Sequence, residues 1–126
     1  MAISMLVVDD NEDVRQMVEL ALRGLPVDIV GLAVDGVQAI DMARELKPDV
    51  ILMDVVMPNM NGVEATRIIH NEMPEITIIG FTGSDPGAVD DMLNAGAVAV
   101  FLKTSFAEVI EKVQSLELDD PGRENS

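Results

Sequence analysis

Five short, largely apolar runs divide the chain, and each stops abruptly at polar or turn-forming residues. Runs of this length, rich in β-branched residues, are typical of strands buried on both faces of a sheet. The run at 50–54 is the clearest, because four apolar residues lead directly into Asp54 and Pro58 turns the chain soon afterwards. The pattern predicts strands at 3–8, 27–33, 50–54, 76–82 and 98–102.

Between these runs, apolar residues recur at the three- and four-residue spacing of amphipathic helices. Asn11 is suited to cap the first helix, and Asn61 with Glu64 three residues later has the spacing of a capping box. Asp85 and Ser105 are the predicted caps of the last two helices. The predicted buried stripes of the first two helices are Val14, Met17, Val18, Ala21, Leu22 and Leu25, then Val37, Ile40, Ala43 and Leu46.

Five predicted strands thus alternate with five predicted helices, an alternation typical of parallel sheets with right-handed crossovers and helices on both faces. The predicted fold class is α/β, a doubly wound five-stranded parallel sheet. The pattern does not fix the strand order, for which the flavodoxin-like order 2-1-3-4-5 is the natural candidate. Residues 1–118 form one predicted domain, and the polar residues 119–126 are predicted to be a tail or the start of a linker.

Four of the five predicted strands end in side chains that can carry chemistry. These are Asp9 and Asp10 after the first strand, Asp54 at the end of the third, Thr82 at the end of the fourth and Lys103 after the fifth. Because parallel strands end at the same edge of a sheet, these residues are expected to converge there. Two carboxylates 4 Å apart repel by about 4 kcal/mol at an effective dielectric constant of 20, so the acidic group needs protons or cations.

The expected chemistry follows from what would neutralise these carboxylates. Lys103 supplies one positive charge, and Mg²⁺ prefers carboxylate, water and phosphate oxygens. Asp54 is central and is the predicted nucleophile, since a carboxylate that attacks a phosphoryl group forms an aspartyl-phosphate. Thr82 can donate a hydrogen bond to the same phosphoryl group. The alternative is that Thr82 and Lys103 are ordinary strand-end residues and that Asp9 and Asp10 cap the first helix.

Four motifs occur in order along the chain: VVDD at 7–10, MDVVMP at 53–58 with NG at 61–62, FTGS at 81–84 and FLKTS at 101–105. Together they resemble the receiver domain of two-component response regulators, and the resemblance covers residues 3 to about 118. It implies a signalling switch, not a stand-alone enzyme, that catalyses only its own phosphorylation and slow dephosphorylation. A sensor histidine kinase would donate the phosphoryl group to Asp54.

The resemblance also implies roles for single residues. Asp10 and Asp54 would bind Mg²⁺ directly, together with the backbone carbonyl of Val56, and Asp9 would act through water. The residues that engage the phosphoryl group would be Thr82 and Lys103. The face built from the fourth helix, the fifth strand and the fifth helix would respond and control an output domain or a target protein.

Two positions depart from the common receiver pattern. Thr104 stands where many receivers carry a proline after the lysine, as in the subgroup that carries helix-turn-helix output domains. Val100 stands three residues before Lys103, where an aromatic switch residue is usual, and strand alternation sends Phe101 to the opposite face. Thr82 can still move toward the phosphoryl group, so Val100 remains the candidate switch residue, with a weaker or different relay.

Three further positions bear on phosphate chemistry. Val56 and Ser84, two residues after Asp54 and Thr82, are expected to flank the route of an attacking water. An apolar Val56 cannot orient that water, which predicts slow self-dephosphorylation. His70, the only histidine, lies near the end of the third helix and is predicted to be a solvated helix residue, not a phosphorelay site.

The composition limits the kinds of partner that are expected. The formal net charge of −15 repels DNA and anionic membranes, which argues against direct nucleic-acid binding and favours Mg²⁺ or basic protein surfaces. The chain has no cysteine, no apparent signal peptide and no apolar run near the ~20 residues that span a bilayer, so a cytoplasmic location is expected. Homodimerisation through the responsive face is a hypothesis, because Val100 and the fourth helix offer apolar surface.

Three other functions compete with the switch. A phosphatase with an aspartate nucleophile usually has another acid two residues later, where this chain has Val56. A phosphorylation-independent binding module would not need the acidic pair, Thr82 and Lys103. A flavin-binding protein is disfavoured because no hydroxyl-rich phosphate loop follows the first strand.

Overall fold

The structure is a computed structural model that describes residues 2–83 and 86–118. Its elements are β1 (Ile3–Val8), α1 (Glu12–Leu22), β2 (Val27–Ala33), α2 (Gly36–Leu46), β3 (Val50–Asp54), α3 (Gly62–Glu72), β4 (Thr77–Thr82), α4 (Pro86–Ala95), β5 (Ala99–Leu102) and α5 (Phe106–Leu118). The strands form one parallel sheet in the order β2-β1-β3-β4-β5, which confirms the predicted fold class and strand order. The predicted cap Asp85 and the predicted tail at 119–126 lie outside the described residues.

The sheet separates two apolar clusters, and alternate residues of each strand face opposite sides. Leu6 and Val8 of β1 belong to the cluster beneath α2, α3 and α4, while Met5 and Val7 belong to the cluster beneath α1 and α5. Burial on both faces explains why the inner strands β1, β3 and β4 read as nearly continuous apolar runs. No helix within the described ranges is long and apolar enough to span a bilayer.

The helix faces match the predicted periodicity only in part. In α2, Ile40 and Ala43 of the predicted stripe are buried, but Val37 is 45% and Leu46 is 38% exposed. Met17 of α1 is likewise 36% exposed. The spacing of apolar residues identifies the face of a helix that turns inward, but not how far the sheet extends beneath it. Beneath α2 the sheet ends at the edge strand β2, so the prediction was wrong at both ends of that stripe.

Side-chain caps fix the turns that follow two strands at the carboxyl edge of the sheet. Asn11 Oδ1 accepts hydrogen bonds from the backbone N–H groups of Asp13 and Val14, at 2.8 and 3.3 Å. Asn61 Oδ1 accepts one from the N–H of Glu64 at 2.9 Å. Both predicted caps are therefore confirmed. Because each caps a helix that directly follows a short turn, the side chains at the strand ends are held in place.

The opposite edge of the sheet is closed by a reciprocal pair of hydrogen bonds between the starts of β1 and β3. The N–H of Ser4 donates to Asp49 Oδ2, and the N–H of Asp49 donates to Ser4 Oγ, each at 2.9 Å. This pair is remote from the carboxyl ends of the strands.

Candidate functional site

The register of the sheet brings the candidate residues at the strand ends into one row. Val8 pairs with Met53, so the next residues, Asp9 and Asp54, stand side by side at the edge. Asp54 pairs in turn with Phe81, and Thr82 pairs with Leu102 immediately before Lys103. The structure thus places the five candidate residues named from the strand ends at a single edge.

Lys103 joins the two buried carboxylates of this row. Its Nζ lies 2.8 Å from Asp9 Oδ2 and 3.2 Å from Asp54 Oδ1. Asp9 is 1% and Asp54 4% exposed, whereas Asp10 beside them is exposed to solvent. The backbone N–H of Lys103 donates to the Thr82 carbonyl at 2.7 Å, which fixes the start of the lysine side chain relative to β4.

Burial and the neighbouring charges shift the ionisation of this pair. Burial raises the pKa of Asp54 to about 6, and the negative charge of Asp9 acts in the same direction. The Lys103 ammonium and the N–H of Val55 oppose this rise only in part. Burial alone would lower the pKa of Lys103, but its close contact with Asp9 and the charge of Asp54 outweigh burial and raise it. Lys103 therefore stays protonated beside a carboxyl group that titrates near neutrality.

Three carboxylates converge closely enough to share one cation. Asp9, Asp10 and Asp54 each offer one oxygen, and these oxygens all lie within 4.8 Å of one another. Mg²⁺ holds oxygen ligands at about 2 Å, so ligands on opposite sides of the ion are about 4 Å apart. The spacing of the carboxylates is compatible with such a site.

One buried oxygen of this group has a single partner. Among residues 2–83 and 86–118, Asp9 Oδ2 meets no donor other than the Lys103 ammonium, 2.8 Å away. A buried carboxylate oxygen with unused acceptor capacity is costly unless another donor or a cation reaches it. The residues present therefore fit a hard, oxygen-binding metal ion such as Mg²⁺.

Contacts to the Asp9 carboxylate and to the backbone carbonyls of Asp9 and Asp54 hold the two buried residues in place. Asp9 Oδ1 accepts from the N–H of Asn11 at 2.9 Å, and the Asp9 carbonyl accepts from Arg15 Nη1 at 2.7 Å. A Cβ atom on Gly62 would lie only 1.9 Å from the Asp54 carbonyl oxygen, so this close approach requires glycine. Arg15 was not found from the sequence, because nothing in its spacing marks a contact to a strand-end carbonyl.

The remaining predicted residues lie around this centre. Val56 is 70% exposed in the loop after Asp54, where it lines a cavity of about 280 Å³ together with Met57, Ala88 and Asp91 of the surrounding elements. Ser84 lies outside the described residues, so its tuning role stays a prediction.

Val100 and Phe101 occupy opposite faces of β5, as alternation predicts. Val100 packs against the cluster beneath α2, α3 and α4, and Phe101 packs against the cluster beneath α1 and α5. Val100 pairs with Gly80, two residues before Thr82, and is half-buried. Val100 therefore exposes less apolar surface for a homodimer contact than the sequence predicted.

His70 is half-buried against the end of α4. A Cβ atom on Gly96 would lie 2.5 Å from its imidazole ring, and Gly96 adopts a positive φ of 126°. The histidine packs on this turn between α4 and β5 and does not lie at the carboxyl edge of the sheet. The sequence predicted a solvated residue, whereas His70 is half-buried. As predicted, it lies away from the acidic residues.

The comparisons with known proteins agree with this geometry. The sequence model described as the response regulator receiver domain matches residues 5–114. The chain belongs to this family. It is a receiver domain of the two-component systems of signal transduction, and the resemblance carried by the four motifs is confirmed.

Individual relatives support the assignment. The chain is 38% identical to the transcriptional regulatory protein LiaR of Bacillus subtilis over 98% of its own length and 60% of LiaR. It is 41% identical to a protein-glutamate methylesterase/protein-glutamine glutaminase of Nitrosospira multiformis over 78% of this chain, but only 29% of that enzyme. The chain thus spans less than two thirds of these curated relatives.

Solved receiver domains have the same fold. The response regulator domain of Thermotoga maritima CheB superimposes with a TM-score of 0.81 at 32% identity, covering 91% of this chain and 96% of that one. A two-component response regulator of the LuxR family from Aurantimonas sp. SI85-9A1 gives a TM-score of 0.84 at 28% identity, covering 92% and 85%.

Proposed function

We propose that this receiver domain accepts a phosphoryl group on Asp54 from a sensor histidine kinase in a Mg²⁺-dependent reaction. The observation that carries the proposal is the Lys103 ammonium in contact with both Asp9 and Asp54, where three carboxylate oxygens lie within 4.8 Å. A structural ion pair alone would need only one carboxylate beside the lysine.

Each residue of the row has a role in this proposal. Asp10, Asp54 and the Val56 carbonyl would hold Mg²⁺, with Asp9 acting through water. When bound, the ion neutralises charge on the phosphoryl oxygens and orients them for in-line transfer. The residues that bind the phosphoryl oxygens directly are Thr82 and Lys103.

The chemical step is a substitution at phosphorus. A carboxylate oxygen of Asp54 forms the new bond to phosphorus as the bond to the donor nitrogen breaks and its electron pair leaves with that nitrogen. Lys103, whose raised pKa keeps it charged, stabilises the transferred group and need not move a proton. The chain itself thus catalyses its phosphorylation, while its output is a change of shape.

We place the response on α4, β5 and α5. Thr82 ends β4 beside this face, and Val100 contacts the same strand at Gly80. A movement of Thr82 would therefore change the packing of β4 against β5 and α4. The face would control an output domain or target protein, and a homodimer could form through it. A cytoplasmic location, a receiver at residues 1–118 and a polar tail or the start of a linker at 119–126 complete the proposal.

The experiment is incubation with acetyl phosphate and Mg²⁺, followed by mass spectrometry, with beryllofluoride and NMR as a second probe. We expect one phosphoryl group on wild-type protein, none on Asp54→Asn, and none without Mg²⁺. Asp49→Asn, at the opposite end of β3, is the matched control and should be labelled normally. A wild-type chain that every phosphodonor leaves unlabelled, and that beryllofluoride does not perturb, would favour a phosphorylation-independent binding module.

A further inference from the structure

The loop between β3 and α3 is tied to the start of α2 by two hydrogen bonds. Asn59 Nδ2 donates to Asp35 Oδ2 at 2.7 Å, and the N–H of Gly36 donates to the Met60 carbonyl at 3.1 Å. A Cβ atom on Gly36 would lie 2.6 Å from that same carbonyl, so the two segments are in direct backbone contact. These contacts join parts of the chain that are 24 residues apart.

The Asp35 carboxylate is a fixed anchor. It is 7% exposed, and its Oδ1 accepts from the N–H of Gln38 at 2.8 Å as the N-cap of α2. The side chain of Gln38 in turn accepts from the N–H of Val34 at 3.1 Å. The Gln38 N–H and the Asn59 amide lower the pKa of Asp35, so the anchor is an anion at neutral pH.

The anchored loop begins at the phosphoacceptor. The N–H of Val55 donates to Asp54 Oδ1 at 2.8 Å, and the Val55 carbonyl accepts from the N–H of Gly62 at 2.7 Å. Asn59 has a positive φ of 66°, a conformation that asparagine adopts more readily than most residues. Val56 lies between these fixed points with its side chain 70% exposed, so packing does little to hold it.

We propose that the Asp35–Asn59 hydrogen bond positions the loop that presents Val56 and thereby tunes the affinity of the site for Mg²⁺. Asp35 and Asn59 are positioning residues, because they act through the loop and do not touch the acidic cluster themselves. The inference rests on the proposed function, since it assumes that the Val56 carbonyl belongs to the metal site. Contacts that orient metal ligands typically change metal affinity by about 10- to 100-fold when they are removed.

Two variants separate the hydrogen bond from charge and backbone strain. Asn59→Gly removes the donor and accepts the positive φ without strain. The double variant Asp35→Asn/Asn59→Asp exchanges donor and acceptor, so the bond can form with reversed polarity. Asparagine is also a good N-cap, so Gln38 keeps its partner at position 35. Both variants preserve the net charge, which removes a general electrostatic effect on Mg²⁺ affinity.

We expect Asn59→Gly to weaken Mg²⁺ binding, measured by titration calorimetry, by about tenfold or more, and the double variant to recover most of the loss. A second readout needs no metal: in EDTA, hydrogen exchange at the Gly36 amide should become faster in Asn59→Gly and slow again in the double variant. Ser4→Ala is the matched control, because it removes one hydrogen bond at the opposite edge and should leave Mg²⁺ affinity unchanged.

The outcomes distinguish failure of this inference from failure of the proposed function on which it rests. Wild-type Mg²⁺ affinity in Asn59→Gly, or an equal loss in Ser4→Ala, overturns the positioning role while leaving the phosphoacceptor role intact. Failure of the double variant to recover affinity also overturns it, provided that its Gly36 amide is protected again. A wild-type protein that binds no Mg²⁺ overturns the proposed metal site itself.

Discussion

At the scale of single residues, the crowding of Asp9 and Asp54 around one lysine makes the site costly to fold. Burial raises the pKa of Asp54 to about 6, from an ordinary value of 3.8. Above the folded-state pKa, the native protein must hold a carboxylate that its surroundings disfavour. As the pH falls through about 6 the native carboxyl binds a proton, and below the unfolded value the penalty has vanished.

A neutral residue at position 54 should therefore stabilise the metal-free protein in a pH-dependent manner. A rise of about two pKa units corresponds to about 3 kcal/mol, so Asp54→Asn should gain up to about that much near pH 7.5. The gain should shrink as the pH is lowered toward about 4.5. Urea unfolding in EDTA, followed by far-UV circular dichroism, measures it. Asp28→Asn, which removes an exposed charge from β2, controls for net charge, and an equal gain at both pH values would refute the prediction.

We propose that Val56 sets a second residue-scale property, the lifetime of the phosphorylated state. Its exposed isopropyl group stands in the loop after Asp54 and has no atom that can hold an attacking water. We expect Val56→Asn to shorten the lifetime by about tenfold, because a positioned polar group assists hydrolysis. The decay of labelled protein after removal of acetyl phosphate provides the measurement. Val30→Asn, an exposed valine on β2, should decay like wild type, and so would Val56→Asn if this idea is wrong.

The residues that the sequence did and did not reveal differ in one physical respect. Asp9, Asp54 and Lys103 could be placed because each ends a strand, and parallel strands end at one edge. Asp35 and Asn59 lie in two loops, and no periodicity tells which loops touch. A local signal was present, since Asp35 with Gln38 three residues later has the capping-box pattern, but it identifies a helix start and not the loop that packs on it.

At the scale of elements, an apolar run in the sequence and the hydrogen-bonded strand within it do not begin at the same residue. The predicted fourth and fifth strands began at Ile76 and Val98, whereas β4 and β5 begin one residue later. Ile76 is only 4% exposed, and its N–H donates to the Met73 carbonyl within a turn. The apolar run at 76–82 thus includes a core residue that a turn supplies before the ladder starts, whereas Val98, one residue before β5, is 51% exposed.

Val100 of β5 and Met92 of α4 both pack against Gly80 of β4, two residues before Thr82. A Cβ atom on Gly80 would lie 3.1 Å from a methyl group of Val100 and 3.2 Å from Cε of Met92. Met92 Sδ also lies 3.8 Å from the buried Thr66 hydroxyl on α3. The flexible methionine therefore fills the space between α4 and the two strands, in the region where the sequence predicted a weaker or different relay.

At the scale of the whole molecule, the net charge opposes self-association and the exposed apolar surface favours it. The net charge of −15 makes copies of this chain repel one another over about one Debye length, roughly 10 Å at 0.1 M salt. The same charge favours basic surfaces on a kinase or a target protein. Association of two copies must therefore be driven by a local apolar contact strong enough to overcome this repulsion.

The exposed apolar side chains near the proposed responsive face of α4, β5 and α5 are the candidates for such a contact. Leu93 on α4, Val98 before β5 and Leu102 at the end of β5 are 43%, 51% and 45% exposed. We expect the protein to be monomeric alone and dimeric with beryllofluoride and Mg²⁺, with the dimer favoured by salt because salt screens the repulsion. Light scattering coupled to size exclusion measures both states.

A matched pair of variants locates the contact. Leu102→Ser should abolish the dimer, because an apolar interface loses the free energy of burying that side chain. Leu20→Ser, at a more exposed leucine on α1, should dimerise like wild type. A monomeric mass in every condition rejects self-association, and a dimer lost only in Leu20→Ser moves the interface to the α1 side of the sheet. In either case phosphorylation of Asp54 would be unaffected, because none of these leucines is among the residues proposed to bind Mg²⁺ or the phosphoryl group.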